Sequence, residues 1–208
     1  MAKIIVDTLP VGPLQANCYL VRNEGDKRCM VIDPGDDVPS VVRMLERLSL
    51  TPEIVFLTHA HFDHIVGAAH LKKKYNAKIA VSDADSACLY DKSVSIIMPG
   101  LNTKFIETHA DELVSSGVWT ALGMEFTVIA TPGHTKGGLC LLNEENRILF
   151  SGDTLFANGF GRTDLPGGDW AELLVSLRKL LALDESITVY SGHGDSAEIG
   201  EIRKVLYK

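Results

Sequence analysis

Residues 58–64 read Thr58-His59-Ala60-His61-Phe62-Asp63-His64, which places three histidines and an aspartate within positions 59–64. For this composition a given His-x-His-x-Asp-His start arises by chance on the order of 10⁻⁶ of the time, or roughly once in two thousand such chains. The spacing therefore carries chemistry. Imidazoles and carboxylates at i, i+2, i+4 and i+5 suit divalent metals such as zinc, manganese or iron. The stretch follows an apolar run over 54–57 and precedes a helical pattern, so its ligands project from a loop at a strand's C-terminal end. A loop can turn His59 and His61 toward one ion and Asp63 and His64 toward a second.

Three more metal-type residues share that placement. His134 follows a predicted strand over 125–130, in Thr131-Pro132-Gly133-His134-Thr135. Asp153 follows one over 148–151, in Ser151-Gly152-Asp153-Thr154, and His193 follows one ending at Ser191, in Ser191-Gly192-His193-Gly194. Four strand ends thus deliver His59, His61, Asp63, His64, His134, Asp153 and His193 as one candidate metal site. His70, on the helix after the motif, and His109 read as surface or satisfied polar residues.

Further strands are predicted over 4–8, 17–22, 29–33, 78–81 and 138–142, several bounded by turn formers such as Asp33-Pro34-Gly35. Helical periodicity covers 38–48, 63–75, 170–181 (with Asp169 as a cap) and 196–207. The Lys72-Lys73-Lys74 run reads as a solvated face. The segment 91–116 is the least patterned and suits either a lid or an irregular connection.

The chain has 208 residues, 46% hydrophobic and 23% charged, with a net charge of −7. This suits one domain over 1–208 that buries its own core. Net acidity argues against a nucleic-acid partner. No apolar run is long enough for a signal peptide or a membrane span. Cys18, Cys29, Cys88 and Cys140 form no Cys-x-x-Cys pair, so they read as thiols of a reducing compartment, and the expected location is the cytoplasm.

The motif at 58–64, with Gly133-His134-Thr135, Gly152-Asp153-Thr154 and Gly192-His193, resembles the metallo-β-lactamase superfamily over nearly the whole chain. The resemblance implies an α+β fold, an αββα sandwich with a metal centre at one edge of its two sheets. It implies that His59, His61 and His134 hold one metal and that Asp63, His64 and His193 hold the other. Asp153 would bridge both, with a water or hydroxide between them. Two divalent ions are implied, zinc first, with iron or manganese also suited by the ligands. Residues 150–156 followed by 161–169 are similar to glyoxalase II (hydroxyacylglutathione hydrolase) and its single-domain relatives. Asp153 stands where some zinc β-lactamases carry cysteine, and His61 where flavodiiron relatives carry glutamate. The RNA-processing branch adds clamp elements for which this chain has no room. Only 15 residues follow His193, so no counterpart is expected here of the helical domain with which glyoxalase II contacts glutathione.

The implied reaction is hydrolysis of a small-molecule thioester such as S-acylglutathione, with a metal-bridging hydroxide as nucleophile and Asp63 orienting it as the catalytic residue. A thiolate leaves without a strong general acid, and the chain carries no Gly-x-Ser-x-Gly nucleophile motif. Three alternatives stand beside it. One is a mononuclear iron persulfide dioxygenase using His59, His134 and Asp153. Another is a lactonase or other ester hydrolase with the same centre, and the last is a metal-binding module without catalysis. Lys136 and Arg162 could meet an anionic substrate group. An exposed lysine and a loop-supporting ion pair are their plainer readings, and Asp164 reads as loop-fixing.

Overall fold

The computed structural model describes residues 3–91, 104 and 106–207. Among them the strands are β1 (Ile4–Val11), β2 (Ala16–Asn23), β3 (Arg28–Ile32), β4 (Thr51–Phe56), β5 (Lys78–Ser82), β6 (Glu112–Val114), β7 (Gly117–Ala121), β8 (Met124–Ala130), β9 (Leu139–Asn143), β10 (Ile148–Gly152), β11 (Leu155–Phe156), β12 (Gly159–Phe160), β13 (Thr188–Ser191) and β14 (Ala197–Glu198). The helices are α1 (Val38–Leu48), α2 (Phe62–Ile65), α3 (Ala68–Tyr75), α4 (Asp83–Ser86), α5 (Trp170–Leu181) and α6 (Ile199–Leu206).

Two six-stranded sheets form, in the orders β1-β2-β3-β4-β5-β6 and β14-β13-β10-β9-β8-β7. Their inner strands β2, β3, β9 and β10 are apolar on both faces because both faces are covered. In β2, Tyr19 and Val21 point into the inter-sheet core with Phe56, Phe126, Leu141 and Phe150. Their neighbours Cys18 and Leu20 point outward, to a second core with Val41, Leu45 and Leu71 of α1 and α3. On the other sheet, Cys140, Leu142, Leu149 and Val189 meet Leu173, Leu177 and Leu180 of α5 and Ile199 and Ile202 of α6. This period-two division of each strand produces the expected αββα sandwich.

The register brings the functional strand ends together. β3, β4 and β5 run parallel, with Ile32 opposite Phe56 and Phe56 opposite Ala80. β10 and β13 are parallel too, so residues 153 and 193 leave their strands at the same edge. The two sheets are tied there by Leu139 N–H donating to Thr58 O at 2.8 Å and Asn17 N–H donating to Gly192 O at 2.7 Å.

Three local expectations change. The predicted helix over 63–75 is broken in two, because Gly67 N–H leaves the helical ladder and donates to Pro34 O at 2.6 Å. In the tail, Ala197 and Glu198 first pair with β13, and the helix begins only at Ile199. β6 and β7 escaped the pattern because they are edge strands; Leu113 and Val118 stay exposed and blur the alternation. Half of the 91–116 segment (92–103 and 105) lies outside the described residues. Asp169 caps α5 as expected, accepting from Glu172 N–H at 3.0 Å.

Candidate metal centre

All seven candidate residues meet at the edge where the two sheets are tied. His59 and His61 leave β4, His134 leaves β8, Asp153 leaves β10 and His193 leaves β13, while Asp63 and His64 open α2. Ligand atoms of His59, His61 and His134 lie within 4.8 Å of one another, and so do those of Asp63, His64 and His193. Asp153 joins the two groups. Its Oδ2 is 3.5 Å from Nε2 of both His134 and His193, and its Oδ1 is 3.5 Å from Nε2 of His64. A bulge in β10 and a left-handed Gly152 (φ 49°) aim Asp153 inward. A Cβ on Gly152 would come to 2.4 Å from Thr58 Oγ1, so only glycine takes that turn.

Four of the five rings are oriented through Nδ1. His134 donates to Arg162 O at 2.7 Å and His193 to Leu14 O at 3.1 Å. His64 Nδ1 meets Asp33 Oδ2 at 3.0 Å. Thr58 Oγ1 gives its proton to Asp33 Oδ2 at 2.6 Å and so accepts from His59 Nδ1 at 3.0 Å. With Nδ1 protonated, Nε2 keeps its lone pair.

Those nitrogens are bare. His59, His61, His64 and His134 Nε2 and Asp153 Oδ1 are buried without a hydrogen-bond partner. Each such orphan costs about 1–3 kcal/mol unless something binds it. Imidazole nitrogens and carboxylate oxygens converging bare on one place are the donor set of a divalent metal, so the residues present fit one.

The electrostatics agree. Burial, reinforced by neighbouring imidazoles, holds His59 well below its ordinary value and brings His61 down to about 3, so both are neutral donors. Burial opposes charge on His64, but Asp153, Asp33 and Asp63 raise it to about 10. Its Nε2 thus faces carboxylates that favour a cation there, whether proton or metal. Burial would raise the Asp63 carboxyl, but the His193 hydrogen bond and the charges of His64 and His193 bring it down to about 2.

Sequence reasoning missed the residues that hold this arrangement. Asp33 (1% exposed) accepts from Thr58 N–H at 2.8 Å and Thr58 Oγ1–H as well as facing His64. It lies within ligand distance of His59 and His64, but its oxygens are committed to these bonds, so it orients and does not ligate. Its only signal was its place at a strand end, where it read as a turn former. Arg162 and Asp164 form an exposed bidentate pair at 2.6–2.7 Å, the loop-supporting arrangement, and Lys136 is exposed. His70 is half-buried and His109 lies against the Tyr90 ring, both outside the cluster.

Asn17 is the matching clamp on the His193 loop. It is buried, and its Nδ2 donates to Ser191 O at 3.0 Å and Gly194 O at 2.8 Å. Asn17→Ala is expected to destabilise the fold by about 1–3 kcal/mol, because Gly194 O loses the Asn17 donor and Ser191 O keeps only the Tyr19 hydroxyl of its two side-chain donors. Urea unfolding measures this, and a change below about 0.5 kcal/mol, the size of a neutral surface substitution, would remove the clamp.

A sandwich of two helix-flanked sheets with a His/Asp cluster at its edge defines a metal-binding member of an enzyme superfamily. The chain belongs to the metallo-β-lactamase superfamily, whose sequence profile matches residues 11–193. It is 30% identical over 207 residues to hydroxyacylglutathione hydrolase GloC of Haemophilus influenzae, covering 96% of this chain and 95% of that one. Among solved structures it is similar to BLEG-1 B3 metallo-beta-lactamase, with a TM-score of 0.90 and 35% identity over 96% of this chain and 97% of that one. It is also similar to TTHA1623 in a di-iron-bound form, with a TM-score of 0.78 and 30% identity over 96% and 98%. Members of this superfamily are generally metal-dependent hydrolases. No helix among the described residues is long and apolar enough to cross a membrane.

Proposed function

We propose that this chain, acting as one domain over 1–208, is a binuclear metal-dependent hydrolase of small-molecule thioesters of the S-acylglutathione type. The observation that carries it is the pair of ligand groups joined by Asp153, and the likeness to GloC supports the substrate class. His59, His61 and His134 would hold one divalent ion and Asp63, His64 and His193 the other, with Asp153 on both. Zinc is the first expectation from the nitrogen-rich donors, and the di-iron form of TTHA1623 keeps iron in view. Bound there, such ions supply Lewis acidity that polarises a carbonyl and activates water at neutral pH.

The chain's own residues do the rest. Asp63 faces the cluster with an ionised carboxylate, suited to accept a hydrogen bond from the attacking water and orient it. The Nδ1 partners of His59, His64, His134 and His193 fix the rings before substrate arrives, so no reorganisation is needed at the moment of reaction. A thiolate leaving group spares the site a strong general acid. Cys18, Cys29 and Cys140 are buried thiols, in keeping with a cytoplasmic enzyme.

The test is metal content on protein purified without added metal, followed by an S-acylglutathione panel. Two ions per chain with thioester hydrolysis is expected. One iron per chain, with oxygen uptake on glutathione persulfide and no hydrolysis, would replace the reading by the dioxygenase. Hydrolysis of lactones alone would move the substrate class to esters.

A further inference from the structure

We propose that Asp85 is a positioning residue for the three-histidine subsite, holding the His59–His61 loop and the His134 loop at the separation a metal ion requires. This rests on those histidines forming a metal subsite and is independent of the substrate.

Asp85 lies in α4, directly after β5, one strand beyond the strand that carries His59 and His61. It is 4% exposed, and its own N–H is capped by Ser82 Oγ at 3.3 Å. Its carboxylate reaches into the gap between the sheets and accepts three hydrogen bonds. Oδ2 accepts from Ala60 N–H at 3.1 Å and from Thr135 Oγ1–H at 2.8 Å, and Oδ1 accepts from Gly137 N–H at 2.8 Å. Ala60 sits between His59 and His61, and Thr135 follows His134. One buried carboxylate therefore pins the backbone between two candidate ligands to the loop that brings the third from the opposite sheet.

The approach is close by construction. A Cβ on Gly137 would come to 2.5 Å from Asp85 Cγ and 2.1 Å from Ser82 Oγ. The rings so held are in contact, with His134 4.4 Å from His61 and 4.9 Å from His59 between centroids. Asp85 itself offers no oxygen to the cluster, since N–H and O–H donors occupy both. Burial raises its carboxyl while the three donors oppose that rise, which suits an anion kept in place by its bonds. The other ligand group is held by Asp33 and Asn17; Asp33 also reaches His59 through Thr58, whereas the three bonds that Asp85 accepts go only to the His59–His61 loop and the His134 loop, and this separates its support from theirs.

The separation makes the idea testable by metal affinity, with no substrate present. The full-length protein is loaded with Co²⁺ and challenged with graded chelator, and the metal retained per chain is measured. In a His193→Ala background, which leaves His59, His61 and His134 intact, Asp85→Ala is expected to weaken the remaining ion by about 10–100-fold, the usual cost of losing an outer-shell partner. In a His61→Ala background the same change is expected to shift the remaining ion by less than about threefold, well below that range. Equal effects in both backgrounds, or none in either, would overturn the proposal, because a purely structural residue lowers unfolding stability without preferring one subsite. If Asp85→Ala does not fold, Thr135→Val removes one of the three donors at constant volume. It is then expected to weaken the ion in the His193→Ala background by about 3–10-fold, and no change there would equally overturn the role.

Discussion

Asp63→Ala is expected to lower kcat on a thioester by about 10³-fold, at the upper end of what losing one preorganised hydrogen-bond partner costs, while KM moves little. Asp63 Oδ2 lies 3.3 Å from His193 Nε2 and 3.5 Å from His64 Nε2, so its carboxylate borders the place where a nucleophilic water must sit. The side chain is 13% exposed and belongs to none of the hydrophobic cores, so the fold should survive its loss. Metal content is measured beside the kinetics, because the substitution removes a candidate ligand as well as the group that orients the water. Asp63→Asn separates the two, since it keeps one oxygen at the same reach and loses the charge. If excess metal restores occupancy in Asp63→Ala but not turnover, the carboxylate acts on the water. Hydrolysis within about tenfold of the parent would remove that role altogether.

Asp33→Ala is expected to be the most damaging single change to stability, at about 3–5 kcal/mol, the range for breaking a buried charged network from one side. It strips the acceptor from Thr58 N–H, Thr58 Oγ1–H and His64 Nδ1–H at once. It also places alanine at a φ of 50°, where asparagine or aspartate is tolerated and a methyl side chain gains nothing. Asp33→Asn keeps the backbone preference and part of the acceptor capacity, so a loss of about 1–3 kcal/mol is expected for it. Urea unfolding with chelator present isolates this effect from metal linkage. A loss for Asp33→Ala no greater than for Asp33→Asn would show that the network has relaxed onto other acceptors.

The candidate ligands were legible because their signal is local. Residues 59–64 supply four of them within one loop, and the other three each follow a short apolar strand. The alternation of strands and helices was legible for a related reason: strands covered on both faces, such as β2 with Tyr19 inward and Leu20 outward, are written as continuous apolar runs between amphipathic helices, while the sandwich itself was implied by the family resemblance. The edge strands β6 and β7 were not, because one face or one edge of each meets solvent and relaxes the pattern. The division of the helix at 63–75 depended on a carbonyl of Pro34, far away in the chain.

The sequence alone thus determined which atoms can bind a cation and that sheets and helices alternate around them. Only the tertiary structure decided which polar residues hold those atoms still. Asp33 reaches Thr58 across 25 positions, Asp85 reaches Gly137 across 52 and Asn17 reaches Ser191 across 174. An aspartate or asparagine beside a strand end has the same local character whether it turns the chain or clamps a distant loop. The difference arises when folding buries it, removes its water and leaves particular N–H, O–H or C=O groups as its partners.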